Sequence, residues 1–154
     1  MTDTQVLADR YFLRTHLIQG FQPYQSFKTR SDVSEYLAMA LQKFRSIKNF
    51  SIIRPVLARS FIGLPYEINE FARTQIIGDS YVIIGGCFPE SLQAERINRR
   101  QWDDTGKLAY DRASRLSEGS YPWMRDTLVA LADGFATVEE VLLAKRDDLF
   151  PDSF

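Results

Sequence analysis

The sequence predicts a single all-α domain, a bundle of five to seven helices packed around a buried central helix at about residues 66–88. In the middle of that helix, from Ile76 to Phe88, only Asp79 and Ser80 carry polar side chains. A helix that is apolar on every side must lie inside the fold. No stretch alternates polar and apolar residues for long enough to indicate a strand. A chain of 154 residues fits one domain, which we expect to cover residues 1–154.

Two helices are predicted before the central one. The first runs from about Thr4 to Gln19 and ends at Gly20 in the left-handed conformation. Asp3 or Thr4 caps it, and its apolar positions are Val6, Leu7, Leu13, Leu17 and Ile18. The second begins with Ser31 as N-cap and stops near Asn49. Its apolar stripe steps by three and four residues through Val33, Tyr36, Leu37, Ala40, Leu41, Phe44 and Ile47.

The following residues leave one segment open. Residues 51–64 form either a short helix that begins at Pro55 or an ordered connector, because a proline keeps the residue before it out of the helical conformation. Pro65 then suits the first turn of the central helix. Glu67 and Glu70 lie near the positive end of that helix, where carboxylates are stabilised by the helix dipole.

Four further elements are predicted after the central helix. Pro89 ends it, since proline does not fit a helix interior, and a short helix runs from Glu90 to Ile97. The next runs from about Arg99 to Leu116, with a stripe of Trp102, Leu108, Ala109, Ala113 and Leu116. A helix follows from Pro122 until Gly134. The last begins at a capping box formed by Thr137 and Glu140 and closes before Phe150 and Pro151.

Composition indicates a soluble, cytoplasmic protein. Asp3 and Asp9 lie where a secretory signal needs a basic patch and an apolar run. The central apolar segment is shorter than the ~20 residues of a membrane span, so no membrane association is expected. Cys87 is the only cysteine, which excludes an intrachain disulfide.

Charge is unevenly distributed along the chain. Residues 1–64 carry nine Lys and Arg against four Asp and Glu, whereas residues 65–154 carry ten against sixteen. This asymmetry either steers an acidic partner or lets the two halves attract each other. Lys43, Arg45 and Lys48 are the candidate partner-binding residues. Nucleic-acid binding is disfavoured, because the basic residues between Glu90 and Glu118 are matched one for one by acidic residues.

The sequence contains no complete catalytic or metal-binding motif. Gly78, Asp79 and Ser80 have the letters of a lipase-type nucleophile motif, but that chemistry needs a histidine base, and His16 is the only histidine. One histidine and one cysteine also exclude the usual zinc sites. The sequence therefore predicts no catalytic residue, no metal and no cofactor, and it leans against an enzyme.

Asp79 is the residue that we single out. A carboxylate inside the most apolar stretch must be paired or neutralised when it is buried. Its candidate partners are Arg73, Arg99, Arg100 and the hydroxyl of Tyr110. The arrangement is either a structural contact that fixes how helices meet or part of a ligand site.

Two glycines of the central helix leave a related choice open. Gly78 and Gly85 lie seven residues apart, hence on nearly one face of the helix. They either admit a neighbouring helix or leave a gap for a ligand. The candidate ligand-binding set is thus Asp79, Arg73, Gly85 and Tyr110.

The segment from Arg73 to Tyr110 carries a short motif, R-x4-GD-x6-G-x-FPE followed by G-x-x-AY. Its residues are Arg73, Gly78, Asp79, Gly86, Phe88, Pro89, Glu90, Gly106, Ala109 and Tyr110. In this segment the chain resembles a group of bacterial helical proteins with no assigned activity. The resemblance implies a bacterial cytoplasmic protein and supplies no catalytic residue.

Two functions follow as hypotheses. The first is a non-enzymatic interaction or adaptor protein that self-associates, using an apolar helix face or the basic 28–59 region against an acidic partner. The alternative is a helical small-molecule-binding protein or enzyme with a site near Asp79, Gly85 and Tyr110.

Overall fold

The computed structural model describes residues 2–46, 69–117 and 122–151. These residues form seven helices and no strand, which confirms the predicted all-α fold class. In chain order the helices are α1 (Asp3–Phe21), α2 (Ser31–Arg45), α3 (Glu70–Cys87), α4 (Pro89–Ala94), α5 (Arg99–Leu116), α6 (Pro122–Asp133) and α7 (Phe135–Leu149).

Helix α3 lies at the centre of the bundle, as the apolar stretch predicts. Every residue from Ile77 to Cys87 is buried, and the helix packs against α5 and α7. Burying one valine or isoleucine side chain contributes roughly 1.5–3 kcal/mol, so the buried side chains of this helix contribute strongly to the stability of the bundle. Its predicted start was too early, because the Asn69 side chain caps it and accepts a hydrogen bond of 2.8 Å from the backbone N–H of Phe71.

The predicted ends of the first helices were wrong in detail. Thr2, and neither Asp3 nor Thr4, caps α1, in a capping box with Gln5. Gly20 does not end that helix but lies inside it, where an added Cβ would come 2.7 Å from Val141 Cγ1. Arg30 is the N-cap of α2 and makes no side-chain cap bond, so Ser31 is the first helical residue.

The second half of the chain follows its start and stop signals more closely. Helices α5 and α6 have the predicted starts, and Asn98 caps α5 through a 3.1 Å hydrogen bond to Gln101 N–H. The predicted capping box of Thr137 is wrong, because α7 already begins at Phe135. The Phe135 ring is fully buried, which places this first turn inside the core.

Burial also differs from the predicted stripes at two leucines. Leu7 is 62% exposed on α1 and Leu108 is 69% exposed on α5, although the predicted apolar faces include both. The expectations for Ile47, Asn49, residues 51–64 and Pro65 lie outside the described residues.

Close helix packing depends on glycine in α5. A Cβ at Gly106 would lie 2.3 Å from the Phe135 ring and 3.0 Å from Tyr81 Cβ. The glycine that weakens α5 in isolation therefore allows α3, α5 and α7 to meet. Cys87, at the end of α3, is fully buried. Among the described helices none has the length and apolar character that crossing a membrane would require.

Candidate functional site

Asp79 sits at the meeting point of three helices. It projects from the middle of α3 and is 8% exposed. The hydroxyl of Tyr110 on α5 donates a hydrogen bond of 2.8 Å to its Oδ1 atom, and the phenol of Tyr36 on α2 is near enough to influence the pKa of the carboxyl. Gly78 makes this possible, because its missing Cβ would lie 2.7 Å from the Tyr110 ring. The sequence thus places a carboxyl group against two phenols in a nearly dry environment.

Burial controls the protonation of this cluster. Desolvation raises the pKa of Asp79 from 3.8 to about 6, while the hydrogen bond from Tyr110 and the nearby phenol of Tyr36 act in the opposite direction. Desolvation and the Asp79 charge raise the pKa of both tyrosines well above 10. Asp79 therefore changes charge near neutral pH, whereas the phenols keep their protons and remain donors.

A cavity of about 630 Å³ opens beside this carboxyl group, between α2, α3 and α6. Its walls are mainly apolar and consist of Met39, Ala40, Phe44, Ala72, Ile76, Trp123 and Met124. Its polar lining consists of Asp32, Glu35, Tyr36, Lys43, Gln75, Asp79 and Thr127. Small-molecule sites share this design of apolar walls with a few convergent polar groups, and they have volumes of roughly 300–1,000 Å³.

Most polar groups of this lining are already engaged. Asp32 is paired with Arg30 at 2.8 Å and accepts a hydrogen bond of 2.7 Å from Thr127. The Arg30 guanidinium lowers the pKa of Asp32 to about 2. Gln75 Nε2 donates to the hydroxyl of Tyr36 at 3.3 Å, which holds that phenol at the cavity wall.

A second polar cluster lies on the α5–α7 side of α3, around Glu139. This residue is 3% exposed, and its Oε2 atom lies 2.9 Å from Nη2 of Arg99. Arg99 Nη2 also donates a hydrogen bond of 2.7 Å to the carbonyl of Gly85, and its Nε lies 3.6 Å from Asp103. Among the described residues the contact between Arg99 and Glu139 is electrostatic rather than an aligned hydrogen bond.

The Glu139 cluster holds a proton. Desolvation, followed by the hydrogen bond to Asp103, raises the pKa of Glu139 from 4.5 to about 9, and Arg99 offsets only part of this. Glu139 is thus protonated at neutral pH. The described residues contain no group of three His, Cys, Asp or Glu side chains that could hold a metal ion.

The structure divides the predicted ligand-binding set. It brings Asp79 and Tyr110 together, but Gly85 faces Glu139. A Cβ atom added to Gly85 would lie 2.1 Å from Oε2 of Glu139. Among the described residues the hydrogen-bond donor to the Asp79 carboxyl is the Tyr110 hydroxyl, whereas Arg99 contacts Glu139 and the carbonyl of Gly85.

The predicted partner-binding set is also divided. Lys43 is exposed and lines the mouth of the cavity. Arg45 is bound within the chain, at 2.7 Å from Asp9. Lys48 lies outside the described residues.

Three features were missed by sequence reasoning: Tyr36 beside Asp79 in the cavity wall, the cavity itself, and Glu139. A signal for Glu139 was present. It lies in the helical stripe of Phe135, Val138 and Leu142, where a charged residue indicates a buried carboxyl.

Comparison of the chain with protein-family models, with curated proteins and with solved structures finds no match. The resemblance to bacterial helical proteins therefore stays a prediction.

Proposed function

We propose that this chain is a cytoplasmic protein that binds a small, largely apolar organic molecule in the cavity between α2, α3 and α6. The observation that carries the proposal is the placement of Asp79 at the wall of an open cavity of about 630 Å³. An apolar pocket with convergent polar groups and a carboxyl of shifted pKa is a typical small-molecule site.

A neutral fluorescent probe tests whether the cavity is a binding site. N-phenyl-1-naphthylamine should bind with increased emission, because the walls offer an apolar environment. Ala72→Phe fills the cavity and should raise the Kd of the probe at least about tenfold. A loss of roughly 1.4 kcal/mol of binding free energy is enough for this change. Ala144→Phe on the exposed face of α7 is the matched control and should leave the Kd unchanged.

Two outcomes would count against this function. One is that the wild-type protein does not bind the probe. The other is that a folded Ala72→Phe variant binds it as well as the wild type, which would place the probe elsewhere.

A second candidate function is self-association through the outer face of α1. Leu7, Tyr11 and Phe12 are 62%, 67% and 47% exposed, and Leu7 and Tyr11 are four residues apart on one face of the helix. Adjacent exposed apolar side chains of this kind mark protein contact sites. The basic region gives less support, because Arg30 and Arg45 are paired with carboxylates of the chain itself.

Sedimentation equilibrium tests the self-association. Tyr11→Lys should dissociate the oligomer, because it places a charge in the apolar contact. Gln19→Lys, which adds the same charge at an exposed position of the same helix, should not. A wild-type protein that sediments as a monomer at all concentrations would exclude this candidate.

A further inference from the structure

Resting on the proposed function, we infer that the cavity takes an organic cation: a primary or secondary ammonium group, carried on an apolar body, that binds the Asp79 carboxylate. The inference names the chemical class of the ligand. It depends on the charges around the cavity, on which of them are already neutralised, and on the aromatic side chains of the walls.

The described part of the cavity lining is acidic. It contains three carboxylates, Asp32, Glu35 and Asp79, and one basic residue, Lys43. Asp32 is neutralised by Arg30 at 2.8 Å, and Glu35 has Arg14 at 3.7 Å.

Asp79 differs from both of these carboxylates. Its hydrogen-bond donor among the described residues is the phenol of Tyr110, and Lys43 acts on it only through a longer-range coulombic attraction. Asp79 is therefore the carboxylate for which a ligand can supply the missing positive charge.

An anionic ligand fits this cavity poorly. The phenol proton of Tyr110 is already donated to Asp79, so it is not available to a carboxylate or a phosphate. Such a ligand would also approach Asp79 itself, and like charges repel strongly where little water is present. Lys43 is exposed at the mouth, where solvent screens its charge.

The walls suit the body of a cation. Aromatic side chains of Tyr36, Phe44 and Trp123 line the cavity, and aromatic faces attract cations. An ammonium that donates to a carboxylate makes a charge-assisted hydrogen bond, which is roughly twice as strong as the bond from a neutral hydroxyl. An alcohol with the same apolar body should therefore bind more weakly than the amine.

The inference predicts how the affinity for the ammonium ligand changes with pH, because ligand binding and protonation compete at Asp79. The pKa of Asp79 is about 6 in the folded protein, so an ammonium that binds its charged form must displace a proton at lower pH. The affinity should rise about tenfold from pH 5 to pH 7 and level off above.

The groups around Asp79 allow this assignment. They are Tyr36 and Lys43 on α2 and Tyr110 on α5, together with Asp32 and Glu35 at the cavity wall. The α6 residues that line the cavity are uncharged, and Glu139 of α7 faces Gly85, about 9 Å further along α3. Asp79, whose pKa is about 6, therefore changes charge between pH 5 and 7.

The experiment compares three probes that share a naphthyl body: 2-naphthylmethylamine, 2-naphthalenemethanol and 2-naphthoate. Each is titrated calorimetrically at pH 5 and at pH 7. At pH 7 we expect the amine to bind at least about tenfold more tightly than the alcohol, and the alcohol more tightly than the carboxylate. Only the amine should gain affinity from pH 5 to pH 7.

Two variants locate the effect. Asp79→Asn should abolish the preference for the amine and its pH dependence. Lys43→Gln is at an exposed position and is not expected to disturb folding. Because solvent screens the charge of Lys43, the variant should leave the affinity for the amine unchanged or slightly higher, whereas an anionic ligand would lose affinity, so it tests the inference even if Asp79→Asn does not fold.

The outcomes separate the inference from the proposed function. If the carboxylate binds more tightly than the amine, loses affinity as the pH rises and needs Lys43, the ligand class is anionic and the inference is overturned. Equal binding of all three probes would overturn it as well, although the cavity would still be a binding site. If neither these probes nor the neutral fluorescent probe binds, the proposed function itself fails.

Discussion

The free energy of unfolding should fall as the pH rises from about 6 to about 9, and Glu139→Gln should remove most of this fall. The folded-state pKa of Glu139 is raised from 4.5 to about 9, so the folded protein holds a proton that the unfolded chain releases. Stability from such a group is complete below pH 4.5 and is lost as the pH approaches 9. The slope is at most about 1.4 kcal/mol per pH unit.

The window above pH 6 isolates Glu139 from the other shifted carboxyls. Asp79 is raised only to about 6, so its contribution is lost at lower pH. Asp32 is lowered to about 2, so its contribution is lost only on acidification through that value. Glutamine keeps the neutral, hydrogen-bonding form that Glu139 adopts at neutral pH. The variant should therefore fold at pH 7 and gain stability relative to the wild type at pH 9.

Urea denaturation across this pH range provides the measurement. Asp104→Asn, which removes an exposed carboxylate next to the cluster, should keep the wild-type slope. A wild-type profile that is flat between pH 6 and 9 would show that Glu139 is ionised in the folded protein.

Gly85→Ala should destabilise the protein by about 2–3 kcal/mol, although alanine normally stabilises a helix relative to glycine by up to ~1 kcal/mol. The new Cβ would lie 2.1 Å from Glu139 Oε2 and 2.9 Å from Trp102 Nε1. Trp102 cannot move easily, because it donates a hydrogen bond of 2.9 Å to the carbonyl of Tyr81 and stacks on that ring at 3.9 Å. Glu139 must therefore leave its place beside α3.

A double-mutant cycle with Glu139→Ala measures this steric conflict. Shortening Glu139 removes the atom that the new Cβ at position 85 would meet. The double variant should therefore lose less free energy of unfolding than the two single variants together, by at least about 1 kcal/mol. Gly78→Ala is the matched control. It clashes with Tyr110 roughly 10 Å further along α3 and should add to Glu139→Ala without rescue. Additivity in both pairs would contradict the packing of Glu139 against Gly85.

Sequence reasoning succeeds where one local signal decides the structure. The start of α6 follows from a first-turn proline, and the predicted start of α5 at Arg99 coincides with the Asn98 cap seen in the structure. It fails where tertiary packing outweighs the local signal. Thr137 and Glu140 have capping-box spacing, but α7 begins two residues before Thr137, at Phe135, whose ring is buried in the core.

The candidate site shows the same division. A carboxylate within an apolar helix needs a partner, so pairing of Asp79 was predicted, but the Tyr110 hydroxyl was only one of four candidate partners. The cavity could not be predicted, because it forms only when residues of three separate helices surround one space. Gly85 was assigned to the wrong cluster, because spacing along a helix does not tell which neighbour fills the gap at each glycine.

Chemical labelling of Cys87, the only cysteine of the chain, reports opening of the helical bundle. The side chain is fully buried at the end of α3, and burial raises the pKa of the thiol far above its usual range. Thiolate is the reactive form, so the folded molecule should resist alkylating reagents, oxidants and mixed-disulfide formation. A chain that becomes labelled has therefore first exposed the centre of its bundle, and the labelling rate at saturating reagent follows how often that happens.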